Sequence, residues 1–157
     1  MKIREMTHED IPTVVELLLG MLNDMAVLSE QVMALDNQAA AWLAGRARAS
    51  LQDDQHTFLL ADPAETVQPP VGVVEASIVQ PHPVFAARQT LHIHSVYVLP
   101  RWRRQGIARQ MMVEMLNWGR RQNCVDAELN VLAGNSALRM YERLGFSVFQ
   151  LEMRIPL

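Results

Sequence analysis

Apolar side chains along the chain follow two different periods, which predict helices and strands in a mixed order. Recurrence at helical spacing predicts four helices, over about 8–27, 36–51, 107–122 and 136–144. Segments rich in β-branched and aromatic residues predict six strands, over 2–6, 56–61, 71–79, 90–99, 126–132 and 146–155. The predicted order is therefore β-α-α-β-β-β-α-β-α-β, without an internal repeat.

Short polar residues and glycines mark the ends of these elements. Thr7 and Asp36 are the expected N-cap residues of the first two helices. Gly145 is the expected C′ residue of the last helix, in the left-handed conformation, with Phe146 packing back on that helix. The remaining segments are predicted to be loops or, in the first, a short helical piece; they cover 28–35, 62–70 and 80–89.

The order of elements predicts an α/β (α+β) fold in a single domain over residues 1–157. Three consecutive strands favour an antiparallel meander. The later β-α-β step favours parallel pairing through a right-handed crossover. We therefore expect a mixed, mostly antiparallel central sheet with helices on both faces.

Composition points to a soluble protein of the cytoplasm. No run of apolar residues reaches the roughly 18 that a membrane helix needs. The N-terminal residues lack the apolar stretch of a signal peptide. A single cysteine, Cys124, excludes an internal disulfide and a cysteine-based zinc cage.

The net charge of −3 combines an acidic part with a basic part. Residues 1–100 hold 5 Lys/Arg and 12 Asp/Glu, whereas residues 101–157 hold 9 and 5. This asymmetry suggests two ligands of opposite sign, or one ligand bound by the basic part, although a random surface distribution explains it equally well. The acidic total argues against nucleic acid as a partner.

One stretch, 90–108, has the features of an anion-binding turn. A predicted strand runs into a basic loop, Arg101 to Gln105, and Gly106 then precedes a helix. The first turn of a helix has free backbone N–H groups, and its dipole favours negative charge. Gly106 and Ala108 are small, so a phosphate can approach the backbone closely. The pattern predicts a pyrophosphate site.

Two sequence blocks resemble the GNAT family of N-acetyltransferases. Arg103-x-x-Gly106-x-Ala108 is similar to the family's acetyl-CoA signature, and the strand before it, 96–100, is similar to its V-x-V-x-P segment. Downstream, the block from Asn135 through Tyr141 to Phe146 resembles its second conserved region. The order of elements agrees with the family over nearly the whole chain.

The resemblance implies a GNAT-like fold and acetyl-CoA as co-substrate. The turn would hold the pyrophosphate on its backbone N–H groups, and the preceding strand would pair with the pantetheine arm. The Val98 N–H would face the thioester oxygen. Asn135 would bind the pantetheine or a water, besides capping its helix. The implied cofactor-binding residues are Val96, Tyr97, Val98, Arg103, Arg104, Gln105, Gly106, Ile107, Ala108, Arg109 and Asn135.

The resemblance also implies direct transfer of the acetyl group to a primary amine in a ternary complex. Tyr141 would be the general acid that protonates the CoA thiolate. The general base stays open, because the family often has Glu where this chain has His94; the alternatives are His94, His92, Glu75 or water. A His-x-His pair also suits a metal, but no third ligand is evident, so we expect none. Cys124 has no evident histidine partner and is not expected to be a nucleophile.

The acceptor would lie between the first two helices and the 80–89 loop. It would be a small-molecule amine or a peptide amine, drawn by the acidic residues Asp24, Glu30 and Asp36. Several methionines and Trp42 would line an adaptable pocket; the methionines are Met21, Met25 and Met33. A homodimer is possible on family grounds. A non-catalytic acyl-CoA-binding module is the alternative to an enzyme.

Overall fold

The computed structural model describes residues 1–28, 36–63, 68–80, 84, 88–153 and 155. Within them lie five strands, four α-helices and two short 3₁₀ turns, at His8–Asp10 and Pro100–Trp102. The strands are β1 (Lys2–Glu5), β2 (His56–Asp62), β3 (Gly72–Val79), β4 (Thr90–Val98) and β5 (Asp126–Leu129). The helices are α1 (Ile11–Leu28), α2 (Ala39–Ser50), α3 (Ile107–Arg121) and α4 (Leu138–Arg143).

The five strands form one mixed sheet in the order β1-β2-β3-β4-β5. β1 to β4 pair antiparallel, and β4 pairs parallel with β5 after the crossover through α3. Antiparallel neighbours need only short connections, whereas the parallel pair requires a crossover such as α3. The predicted mixed, mostly antiparallel sheet is confirmed.

Helices cover both faces of this sheet, as predicted. On one face, α1 and α2 pack over a core cluster that includes Phe58, Leu60, Val73 and Tyr97. On the other face, α3 packs over the strand residues whose side chains point the opposite way. This second cluster includes Leu59, Val74, Ile93 and Val98 of the sheet and the buried methionines of α3, Met111, Met112 and Met115. Successive side chains of a strand point to opposite faces, so one sheet supplies both cores.

The start of α1 is fixed by a polar cluster. Thr7 stands at the N-cap of the 3₁₀ turn that leads into α1, and its N–H donates to Asp10 Oδ2 at 2.8 Å, as in a capping box. Arg4 in β1 donates to Asp10 Oδ2 at 2.6 Å and to Asp62 Oδ2 at 2.6 Å. Asp10 is accordingly acidic, because its hydrogen bond with Arg4 and those with Thr7 lower its pKa to about 2 against the opposing effect of burial.

Two strand predictions at the C-terminal end of the chain need correction. The strand predicted over 126–132 ends at Leu129. The strand predicted over 146–155 is absent, since residues 146–153 and 155 form no strand. Alternating apolar residues fit a strand, but a strand also needs a neighbour for its backbone hydrogen bonds. No described strand pairs with this segment, and the side chains stay exposed; these are Val148, Phe149, Leu151, Met153 and Ile155.

Other predictions lie partly outside the described residues. These are the loops at 28–35, 62–70 and 80–89, which include Glu30 and Met33. Among the helices of the described part of the chain, none combines the length and apolar character required to cross a bilayer.

The contact between α1 and β4 depends on Gly20. A Cβ at Gly20 would lie 2.8 Å from Tyr97 Oη, whereas a Cβ at Gly45 in α2 would meet nothing within 4 Å. Both glycines are helical, so alanine at either position gains about 0.5–1 kcal/mol of helix propensity. Only Gly20→Ala also overpacks the interface with the rigid Tyr97 ring.

We therefore expect Gly45→Ala to raise the free energy of unfolding. The free energy of unfolding of Gly20→Ala should be lower than that of Gly45→Ala by about 1–3 kcal/mol, the usual cost of overpacking. Urea unfolding of the two variants measures this difference. Equal stabilities would show that Tyr97 does not pack against α1 as described.

Candidate active site

The turn between β4 and α3, residues 100–106, is held in an unusual backbone conformation. Arg104 has a φ of 60° and Gly106 has a φ of 78°, both in the left-handed region. A Cβ at Gly106 would meet nothing within 4 Å, so the φ angle and not crowding favours glycine there. We call residues 100–106 the basic turn.

The basic turn leads into a helix end with unpaired backbone donors. The first backbone hydrogen bond into α3 runs from the Gln110 N–H to the Gly106 carbonyl at 3.0 Å. The N–H groups of residues 107–109 precede that bond and have no intrahelical acceptor. Arg101, Arg104 and Arg109 are exposed around them. Backbone donors, a helix N-terminus and guanidinium groups together favour a phosphate ligand.

Arg103 is bound within the protein. Its Nε donates to the Val98 carbonyl at 2.9 Å, and its Nη2 pairs with Asp24 of α1. Its guanidinium also lies over the Tyr97 ring, 5.3 Å from the centroid. Arg103 therefore ties the basic turn to α1, and in this arrangement Arg104 is the more available cation for a ligand.

A gap opens beside β4 immediately before the basic turn. Pairing of β4 with β5 ends at Ile93 and Leu129, although β4 continues to Val98. A β-bulge at His94, opposite the step from Glu75 to Ala76, changes the direction of the β4 backbone at the same point. We call the space beside residues 94–98 the β4–β5 gap.

The backbone groups of Val96 and Val98 face the β4–β5 gap. The Leu99 N–H donates to the Val71 carbonyl at 2.9 Å, so Leu99 faces the chain that leads into β3. Backbone groups of successive residues alternate in direction, which turns those of Val98 and Val96 the other way. The bond from Arg103 to the Val98 carbonyl agrees with this. Tyr97 faces β3 through its backbone, and its buried side chain packs on α1.

Tyr141 and Asn135 lie on and before α4. Tyr141 is 8% exposed, and burial raises the pKa of its phenol to about 12, so the hydroxyl keeps its proton at neutral pH. Its ring contacts Phe146 edge-on at 6.1 Å, and Gly145 has a φ of 97°, so the predicted end of this helix is confirmed. Asn135 Oδ1 accepts the Ala137 N–H at 2.9 Å, which is an Asx turn immediately before α4; Ala137 and not Asn135 stands at the N-cap of this helix.

A second feature, which we call the α1–α2 cavity, lies between the two N-terminal helices and β4. It has a volume of about 880 Å³. One wall is apolar and the other is formed by polar side chains of β3, β4 and α2. The residues that line the cavity include Met21, Met25, Trp42, Arg46, Glu75, His92 and His94.

Glu75 lies in the polar wall with both carboxylate oxygens occupied. It is 1% exposed. Its Oε1 lies 2.6 Å from Arg46 Nε and 2.8 Å from His56 Nε2, and its Oε2 accepts the Ser95 hydroxyl at 3.0 Å. The ion pair and these hydrogen bonds compensate the cost of burying the Glu75 carboxylate away from water. The network joins β2, β3, β4 and α2 next to the bulge.

His92 and His94 lie beside each other in the same wall, with ring centroids 4.6 Å apart. The His92 Nδ1–H donates to Glu128 Oε1 of β5 at 2.9 Å. His94 Nε2 lies 2.7 Å from the Ser77 hydroxyl. Partial burial lowers the pKa of His94 to about 4; Glu75 acts in the opposite direction, and Arg46, His92 and His56 add to the lowering. His94 is therefore neutral at physiological pH.

Besides Tyr141 and Asn135 at α4, the structure places the sequence-predicted residues in two groups. The turn residues and the Val96 and Val98 backbones lie together along one path, while Glu75 and His94 line the α1–α2 cavity. Sequence reasoning missed Arg46, His56 and Glu128, because their roles depend on strand register and on the docking of α2. Of the acidic residues expected to draw an amine, Asp36 lines the cavity and Asp24 is paired with Arg103.

No group of three or more His, Cys, Asp or Glu side chains in the described part of the chain is arranged to hold a metal ion. His92 and His94 each have other partners, as described above.

The depressed pKa of His94 gives a testable dependence on pH. The unfolded chain binds a proton at His94 near pH 6.5, whereas the folded protein does so only near pH 4. Folding stability should therefore fall as the pH is lowered through this interval, because the unfolded state binds more protons. His94→Gln should reduce the slope there. A histidine titration followed by NMR should place His94 near 4; a midpoint near 6.5 would contradict the described environment.

Comparison with known proteins supports the same fold. A tetramutant of the protein BH1408 from Bacillus halodurans is 23% identical, covers 100% of both chains and has a TM-score of 0.86. Glucosamine-6-phosphate N-acetyltransferase from Arabidopsis thaliana is 17% identical over 99% of this chain and 97% of its own, with a TM-score of 0.70. A predicted acetyltransferase from Clostridium acetobutylicum, solved with acetyl-CoA, is 16% identical over 99% and 95%, with a TM-score of 0.73.

No curated protein sequence matches the chain significantly. A family model, that of the GNAT acetyltransferases, matches residues 24–146. This match includes the basic turn, the strand residues beside the β4–β5 gap, and α4. The chain therefore belongs to the GNAT family of acetyltransferases.

Proposed function

We propose that this protein is an N-acetyltransferase that moves the acetyl group of acetyl-CoA directly to a primary amine in a ternary complex. The observation that carries the proposal is the continuity of the β4–β5 gap with the basic turn. A strand edge whose Val96 and Val98 amide groups face the gap leads straight to a helix N-terminus with free N–H groups; the Val98 carbonyl already accepts a hydrogen bond from Arg103. Pantetheine is a chain of amides that ends in a pyrophosphate, so its chemistry follows the same order.

Acetyl-CoA fits the residues along this path. The pyrophosphate would accept hydrogen bonds from the backbone of residues 104–109, next to the Arg104 and Arg109 side chains. Val96 and Val98 would pair with the pantetheine amides. Arg103 would act differently from the sequence-based expectation, by fixing the turn through Asp24 and the Val98 carbonyl. Asn135 would hydrogen-bond the pantetheine or an ordered water.

The transfer needs an oxyanion donor and a general acid. The amine nitrogen attacks the thioester carbonyl, a C–N bond forms, and the Val98 N–H stabilises the resulting oxyanion. The C–S bond then breaks, and the CoA thiolate takes a proton from the Tyr141 hydroxyl. The nitrogen releases its remaining extra proton to solvent, and the Tyr141 phenolate regains a proton from solvent. A phenol with a pKa of about 12 remains protonated at neutral pH, so the proton is available when the thiolate forms.

The amine must lose a proton before it attacks. His94 is neutral at physiological pH and lies in the wall of the α1–α2 cavity, so it accepts that proton directly or through water. A pKa of about 4 makes His94 a weak base, and the adjacent His92, oriented by Glu128, would receive the proton next. Glu75 would support this relay by fixing the bulge, since Arg46, His56 and Ser95 occupy its carboxylate.

The cofactor assignment is tested at Gly106. Gly106→Ala forces a left-handed residue to carry a Cβ and reorients the N–H groups of the turn, so acetyl-CoA should bind at least about tenfold more weakly, equivalent to about 1.4 kcal/mol. Gly145→Ala is the matched control, because Gly145 also has a positive φ and open space around its Cβ. Its stability should fall similarly while acetyl-CoA affinity is kept. Calorimetric titration measures both, and equal affinities for acetyl-CoA would contradict the assignment.

The general acid is tested by Tyr141→Phe. The phenylalanine ring keeps the contact with Phe146, so acetyl-CoA should still raise the melting temperature as in the unsubstituted protein. Turnover should fall by about 10²–10⁴-fold, the usual effect of losing a general acid. Thiol release with an amine acceptor measures kcat. An unchanged kcat would remove Tyr141 from the mechanism, and acetyl-CoA binding without turnover of any amine would identify a non-catalytic acyl-CoA-binding module.

A further inference from the structure

The described lining of the α1–α2 cavity has little charge available for a ligand. The charged side chains among its described lining residues are Asp36, Arg46 and Glu75. Arg46 and Glu75 form an ion pair at 2.6 Å, and Glu75 is buried. Asp36 is exposed and accepts the Gln38 N–H at 2.7 Å at the start of α2. The described lining therefore offers one uncompensated carboxylate.

Asp24, an acidic residue of α1, is also held in an ion pair. Asp24 lies on α1 between Met21 and Met25, but it pairs with Arg103. A polyamine or an aminoglycoside has several ammonium groups at neutral pH, and each of them loses hydration on binding. One rim carboxylate does not compensate for several charges. The electrostatics of the described lining thus disfavour a polycation.

The opposite wall of the cavity is apolar. α1 presents Leu18, Met21, Leu22 and Met25, which share one face because their spacing follows the helical period. Methionine side chains are flexible and adapt to ligands of different shape.

Trp42 of α2 extends this wall. It lines the cavity and is 62% exposed, although it is the largest apolar side chain of its helix. The Arg46 guanidinium lies 5.4 Å from the centroid of its ring. An exposed tryptophan in a cavity wall offers a broad flat surface that an apolar ligand would remove from water.

We infer that the acceptor is a small primary amine with a single positive charge on an apolar body, either aromatic or branched aliphatic. The amine points to His94 and the body packs on Met21, Met25 and Trp42. The inference rests on the proposed acetyl transfer and specifies its substrate class. The volume of about 880 Å³ accommodates a body of this kind together with the end of the pantetheine arm.

The test compares kcat/KM across four amines with the full chain and saturating acetyl-CoA. The apolar monoamines are 2-phenylethylamine and 3-methylbutylamine, and the polycations are spermidine and kanamycin. Thiol release should be at least about tenfold more efficient for the apolar amines. A preference for spermidine or kanamycin would overturn this inference and leave acetyl transfer standing. Failure with every amine would overturn the proposed function and this inference with it.

Trp42→Ala separates packing from catalysis. KM for 2-phenylethylamine should rise about tenfold, whereas KM for acetyl-CoA should stay the same. Phe149→Ala is the control, because Phe149 is an aromatic residue that is 89% exposed and does not line the cavity. Its KM values should match those of the unsubstituted protein. An unchanged amine KM in Trp42→Ala would contradict the placement of the apolar body.

Discussion

The bulge in β4 at His94 is the constraint on which the site depends. Before it, β4 pairs with both β3 and β5; after it, β4 pairs with β3 alone and one edge is open. A free strand edge is normally a liability that proteins cover or blunt. Here Glu75 stabilises the irregular point, since Ser95 of β4, His56 of β2 and Arg46 of α2 all bond to its carboxylate. The gap is thus a built feature of the sheet.

The two sides of the site have opposite electrostatic characters. The basic turn combines helix N–H groups with exposed arginines and is suited to a large anion. The described lining of the α1–α2 cavity has one uncompensated carboxylate, Asp36, because Glu75 is paired with Arg46. Asp24 is paired with Arg103. The acidic balance of the first 100 residues therefore gives little negative potential at this described lining. Charge counted along a sequence was a poor guide there, since the pairing of charges depends on tertiary contacts.

Features that depend on local sequence were predictable. The periodicity of α1 and α3, the left-handed Gly145, and the order of the first five strands all follow from residues close together in the chain. The partners of Glu75 and the pair between Arg103 and Asp24 were not predictable, since the last pair joins residues 79 positions apart. The prediction of a strand over 146–155 was wrong for a related reason. Periodicity describes the two faces of a strand, but it does not show whether the segment pairs with a neighbouring strand.

The central claim is that one continuous path, from the β4–β5 gap to the basic turn, binds acetyl-CoA. Amide chemical-shift mapping during a titration with coenzyme A tests it most directly, because the proposed contacts are backbone N–H groups. The largest shifts should occur at residues 104–109 and at Val96 and Val98, with small shifts along α2. Shifts centred on another surface, or none at saturating coenzyme A, would contradict it.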